Sequence, residues 1–160
     1  MSWFIIIRWL HIFAAASWFG EVMTINFVLV PALGKLEQQE RARFMSVVFP
    51  RIFRLASVLS LLTVASGTGL FVMRYGGNWS VVWHAPITTL LAIGALMGLA
   101  LTLFHFVMEP RLSKLIRVAE AQGDLETTAL IHSRLRLIPR AGLGVIASIV
   151  LLMMAGARGF

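Results

Sequence analysis

The sequence predicts an all-α integral membrane protein: a four-helix transmembrane bundle that occupies the chain as a single domain, residues 1–160. Three observations predict it. The first is composition: 59% of residues are hydrophobic and 13% charged, where a soluble domain carries about half and about a quarter, and mean hydropathy is +0.86. The second is four apolar runs, about 9–32, 52–74, 81–108 and 138–157. Each has ~20–28 residues, enough to cross ~30 Å of hydrocarbon at 1.5 Å per residue. The third is charge placement, since 11 of the 14 Lys and Arg residues fall in or beside two connections. That asymmetry accounts for the net charge of +7 by the positive-inside rule rather than by nucleic-acid binding. The expected partner is the lipid bilayer.

The first run, Arg8 to Val30, carries His11, Glu21 and Asn26 inside an apolar stretch. Polar groups at such depth are costly and point to function. The run is too long for a signal-peptide core, and no small-residue cleavage site follows it, so it is expected to remain a spanning helix. The first connection holds Lys35, Arg41, Arg43 and Arg51, with Arg54 just inside the second run. Between the second and third runs, Y-G-G-N-W-S (75–80) reads as a tight turn, with Gly76 and Gly77 supplying its conformations. Trp3, Trp9, Trp79 and Trp83 sit at interfacial depth.

The third connection holds Arg111, Lys114, Arg117, Arg134, Arg136 and Arg140, against only Arg8, Arg74 and Arg158 on the opposite side. Both termini are therefore expected outside, with loops 33–51 and 109–138 in the cytoplasm and the chain multi-pass in the inner (cytoplasmic) membrane. Leu112, Leu115, Ile116 and Ala119 recur at helical spacing, and Asp124 after Gly123 can cap a further helix. The third and fourth helices should thus extend into the cytoplasm as a hairpin. F-V-L-V-P-A-L-G-K-L (27–36) echoes F-V-M-E-P-R-L-S-K-L (106–115), as two related hairpins would. The pairs Ala16/Gly20, Ala65/Gly69 and Gly94/Gly98 allow close helix approach, either within the bundle or, through Gly94 and Gly98, in a homodimer.

There is no cysteine, which excludes disulfides, thiolate metal sites, iron–sulfur clusters and covalent haem attachment. No nucleophile–base pair, phosphate loop, dinucleotide fingerprint or H-E-x-x-H is present. The chemistry lies in the histidines. His11 and His84 each fall just inside the outer end of a run with the same direction, so they should share a depth. Two imidazoles at one depth can clamp one haem iron, with Arg8 one turn above His11 placed for a propionate and Trp83 beside His84. Copper is the other metal that imidazole suits. His105 lies 21 residues after His84, about 31 Å along a helix, too far to share that metal. It is a candidate proton or quinone contact, or a packing residue, and His132 should lie beyond the membrane. Glu21, about 15 Å below His11, is a candidate proton carrier or quinol ligand, or a carboxyl bonded to Ser66, Thr68 or Thr63. Such a carboxyl is expensive to ionise.

W-L-H at 9–11, W-F-G at 18–20, V-F-P-R-I-F-R-L-A at 48–56 and G-L-A-L-T-L-F-H-F at 98–106 carry a resemblance. The chain resembles the superfamily of small four-helix membrane proteins that includes the haem-b protoporphyrinogen oxidases of HemJ type and the membrane domain of CopD-type copper resistance proteins. The resemblance implies haem binding by His11. Where the oxidases have a lysine at the start of the third helix this chain has His84, and where they have L-P-R-x-x-x-x-H it has L-V-P-A-L-G-K-L. The expected function is a membrane b-type cytochrome, a haem-dependent oxidoreductase. It would carry electrons between the quinol pool and an outer-side acceptor through one bis-His haem b. The alternatives are copper handling, a relative of the protoporphyrinogen oxidases, or a subunit of a larger respiratory assembly.

Overall fold

The computed structural model describes residues 2–158, with side chains through Ala157. Four long helices carry the fold: α1 (Trp3–Leu33), α2 (Gln38–Tyr75), α4 (Pro86–Ala121) and α5 (Leu125–Arg158), with a one-turn helix, α3 (Val81–His84), between the second and third of them. All four long helices are long and apolar enough to cross a membrane, and no strand occurs among the described residues. The protein is a multi-pass helical membrane protein whose apolar flanks face lipid. α1 packs on α2, α2 on α4 and α4 on α5, while α5 closes more lightly against α1. α1 and α4 therefore stand diagonally across the bundle.

The helices outrun the apolar runs at the basic end. α2 has 38 residues, about 57 Å at 1.5 Å per residue, and so exceeds ~30 Å of hydrocarbon. The first connection is consequently short, and residues 38–51 belong to α2 rather than to a loop. The expected hairpin is present. α4 runs to Ala121, Gly123 adopts φ +64, and Asp124 caps α5 by accepting from the Thr127 backbone N–H (2.9 Å) and hydroxyl (2.6 Å). Arg41 reaches back from α2 to donate to the carbonyls of Leu33 (2.8 Å) and Leu36 (2.9 Å), satisfying the exposed end of α1.

One proline stands in each spanning helix near its basic end: Pro31, Pro50, Pro110 and Pro139. Pro31 cannot donate and its ring crowds the carbonyl four residues back. α1 absorbs this in a π-helical turn, Ile25–Leu29. Asn26 stabilises that turn, donating to Val22 O (2.8 Å) and across to Pro139 O on α5 (2.9 Å). The polar Asn26 inside the first apolar run is thus a helix–helix bond.

The third apolar run begins later than its composition suggests. Pro86 restricts Ala85 to extended backbone (φ −136, ψ 127), so residues 81–84 break off as α3 and the spanning helix starts at Pro86. Thr88 and Thr89 tie the piece down, donating to Val81 O and Val82 O (2.6 Å). Gly76 and Gly77 take positive φ in the preceding turn, as its sequence requires.

The main buried core lies at the basic end: Ile25, Val30, Leu33, Met45, Phe49, Ile116, Ala119, Ile131 and Leu135. A smaller cluster, Trp18, Val22 and Ile146, fills the middle. Lipid chains are as apolar as leucine, so the hydrophobic effect drives packing where the helices project into water and little within the bilayer. Gly94 and Gly98 are buried inside the chain. A Cβ on Gly94 would meet Met153 of α5 at 3.0 Å, and one on Gly98 would meet Val64 of α2 at 3.8 Å. They serve helix packing in the monomer, and a homodimer seam through them is not open.

Candidate functional site

Ile7, His11, Ala14 and Trp18 recur at helical spacing and form the inward face of α1. His11 lies against α2. Its Nδ1 is 2.9 Å from Thr63 O and 3.2 Å from Ser66 Oγ. A carbonyl only accepts, so Nδ1 carries the proton and Nε2 presents a lone pair. The Ser66 hydroxyl itself donates to Leu62 O. The ring rests on Gly67, where a Cβ would lie 3.0 Å from His11 Cε1. A side chain at 67 would press on the imidazole, which would have to give by a few tenths of an ångström.

His84 repeats the bonding pattern, its Nδ1 2.6 Å from Ser80 O. Its setting differs, since it is exposed and sits on α3. α3 packs on α4, whereas the packed neighbours of α1 are α2 and α5. The break at Pro86 takes His84 off the spanning helix on which depth matching had placed it. Arg8 and Trp83 are both exposed at the same end of the bundle as His11 and His84.

A second polar group of residues crosses the bundle centre. Trp18 and Glu21, three residues apart on one face, are both turned inward. Trp18 Nε1 and both carboxyl oxygens of Glu21 are buried without a hydrogen-bond partner. Ser66, Thr68 and Thr63 do not serve Glu21. The first and last lie at His11, and Thr68 donates to Val64 O. α1 and α2 are antiparallel, so the stretch of α2 level with His11 is about 15 Å from the level of Glu21. From α4, the His105 ring meets the edge of Trp18 at 5.9 Å between centroids. Glu109, one turn on, accepts a hydrogen bond from Ser57 of α2. Trp18, Glu21, His105 and Glu109 thus mark a line from mid-bundle toward the basic end. A buried carboxyl with no partner carries a desolvation cost, and such a group can hold a proton or take a ligand's hydroxyl.

His132 lies in the water-side core, 6% exposed, with Nε2 buried and unpartnered. Burial, and then the Arg41 and Arg136 guanidinium groups, push its imidazole below the usual histidine range. Among the described residues no group of three or more His, Cys, Asp or Glu could hold a metal ion.

Reading by sequence did not find Thr63, Ser66 and Gly67 as the seat of His11, nor Trp18 as a buried indole. Its signal was there: Trp18 is the one tryptophan far from the ends of the apolar runs, seven residues from His11 on the same face.

A family model described as a domain of unknown function, DUF4149, matches residues 13–121. The chain belongs to this family. The matched span takes in Trp18, Glu21, the α2 seat of His11, His84 and His105, while His11 lies two residues ahead of it. No curated protein and no solved structure matches the chain.

Proposed function

We propose that the protein is a membrane b-type haem protein that passes electrons between the quinol pool and an acceptor outside the inner membrane. One observation carries the reading. His11 Nδ1 is tied to the Thr63 carbonyl and its Nε2 is left free. Metal-ligating histidines are oriented in this way, the second ring nitrogen donating to a carbonyl or carboxylate. A macrocycle brings the other ligands of its iron, so the protein need supply only axial groups, and a three-residue metal cluster is not required.

A bound haem would supply a one-electron couple. The chain's own residues have four tasks. His11 would hold the group through Nε2. Gly67 keeps room for the imidazole. Arg8, one turn nearer the membrane surface, would pair with a carboxylate of the group. Glu21 and His105 handle the protons that accompany quinol chemistry, at the Glu21 carboxyl and the His105 ring. His84, on the separate one-turn α3, would be the second histidine to hold the group. The likeness of W-L-H at 9–11 to the first helix of the oxidase and copper families supports haem or copper at His11. By the positive-inside rule the basic end is cytoplasmic, which sets His11 toward the outer surface.

The test is a reduced-minus-oxidised spectrum of the purified protein with pyridine haemochrome quantitation. A haem b signal lost in His11→Ala supports the assignment. Split α and β bands that also vanish in His84→Ala make both histidines ligands, whereas a high-spin spectrum indifferent to His84→Ala leaves His11 alone on the iron. Haem retained in His11→Ala rules this site out. Colourless protein carrying copper transfers the same two histidines to copper handling.

A further inference from the structure

A groove between α2 and α4 at the basic end begins at Glu109, the last of the polar groups that follow His105. It has a volume of about 340 Å³ and is walled by Pro50 and Arg54 of α2 and by Glu109, Ser113, Lys114 and Arg117 of α4, among others. Pro50 and Pro110 both line it, and their short rings leave a gap where longer side chains would meet. The volume falls in the range of small-molecule sites.

Two independent features of this groove point to an anion. The first is charge. Arg54, Lys114 and Arg117 face one carboxylate, Glu109, which accepts the Ser57 hydroxyl. The second is Ser113, which is 8% exposed, with its Oγ buried and unpartnered. A helical serine ordinarily returns its hydroxyl to a carbonyl one turn back, as Ser60, Ser66, Ser133 and Ser148 do in this chain. Ser113 does not, and it is one of the residues that wall this cationic groove. The groove sits where the apolar runs of α2 and α4 give way to their basic extensions. That is headgroup depth, reachable from the bilayer and from water.

We propose that this groove binds a phosphate-class anion, held by Arg54, Lys114 and Arg117 with Ser113 Oγ as a neutral donor. Guanidinium and ammonium groups bind phosphate oxygens through short charge-assisted bonds. The source is either the phosphate of an acidic lipid or a soluble phosphate. The inference does not depend on the haem reading.

The full chain in uncharged maltoside micelles, free of phosphate, separates these sources. Its melting midpoint is followed while either phosphatidylglycerol or inorganic phosphate is added at constant ionic strength. A ligand that binds only the folded state raises the midpoint with concentration. A rise at tenfold lower phosphatidylglycerol than phosphate names the lipid, and the reverse names the soluble ion. The Lys114→Gln/Arg117→Gln variant should need at least tenfold more ligand for half the rise. Ser113→Ala should melt normally without ligand and need several-fold more of it. Arg136→Gln/Arg140→Gln, which removes equal charge elsewhere, should respond as the unaltered chain does. No rise with either ligand, or equal weakening in both double variants, would overturn the site.

Discussion

A histidine whose Nδ1 donates to a main-chain carbonyl is held in one tautomer and one orientation, and its remaining nitrogen can only accept or ligate. His11 and His84 are both in this state, but only His11 is locked between helices. Glu21 is the opposite kind of group, buried with nothing bonded to either oxygen. Glu21→Gln keeps its shape and removes its proton. On the proposed haem reading, with folding and spectrum intact, reduction by a quinol should slow ~10²-fold, the usual worth of a positioned proton donor. An unchanged reduction rate in stopped flow would reduce Glu21 to a packing residue. His132 gives a pH effect. Its folded-state value is lowered by burial, Arg41 and Arg136, while the Val30 main chain favours the charged form. The unfolded chain therefore binds its proton more readily. The stability His132 contributes is full above about pH 6.5, its unfolded value. It is lost as pH falls through the lower folded value. The melting midpoint should drop between pH 7 and 5, and by less in His132→Gln.

Elements meet here through a few close contacts, and those contacts fix which chemistry is available. Gly67 is the test of the α1–α2 contact. In Gly67→Ala the new methyl would stand 3.0 Å from His11 Cε1, tighter than most such contacts, and the imidazole must shift by a few tenths of an ångström. Overpacking of this kind costs about 1–3 kcal/mol. On the proposed haem reading, the expected result is a folded protein whose spectrum is weakened or lost, as in His11→Ala. A normal spectrum in Gly67→Ala would show that the seat on α2 does not orient the ligand. The α3–α4 break acts in the other direction. One proline detaches His84 from the spanning helix, and four residues of α3 held by Thr88 and Thr89 replace a rigid turn of α4.

At the scale of the molecule, packing is uneven, dense where the helices leave the membrane and thin where they cross it. Phe49 is fully buried in the water-side core, and Phe49→Ala should cost about 3–5 kcal/mol. Leu151, 68% exposed on α5, faces lipid, and Leu151→Ala should move the melting midpoint little. Comparable losses from both would mean that α5 is covered by protein rather than by lipid. The four spans, the basic end, the Gly76–Gly77 turn and the Asp124 cap were legible in the sequence. Run length, charge, turn chemistry and capping are local properties, and each acts through neighbours along the chain. Tertiary structure alone decided which inward groups meet. It gave Thr63 and Ser66 to His11 rather than to Glu21, and brought Trp18 to His105. It buried Gly94 and Gly98 within one chain, and it left Ser113 unbonded in a cationic groove. Those outcomes depend on the depth and rotation at which one helix meets another. Rotation within lipid is set by a few close contacts, not by the apolar pattern, because apolar residues lie all round a spanning helix.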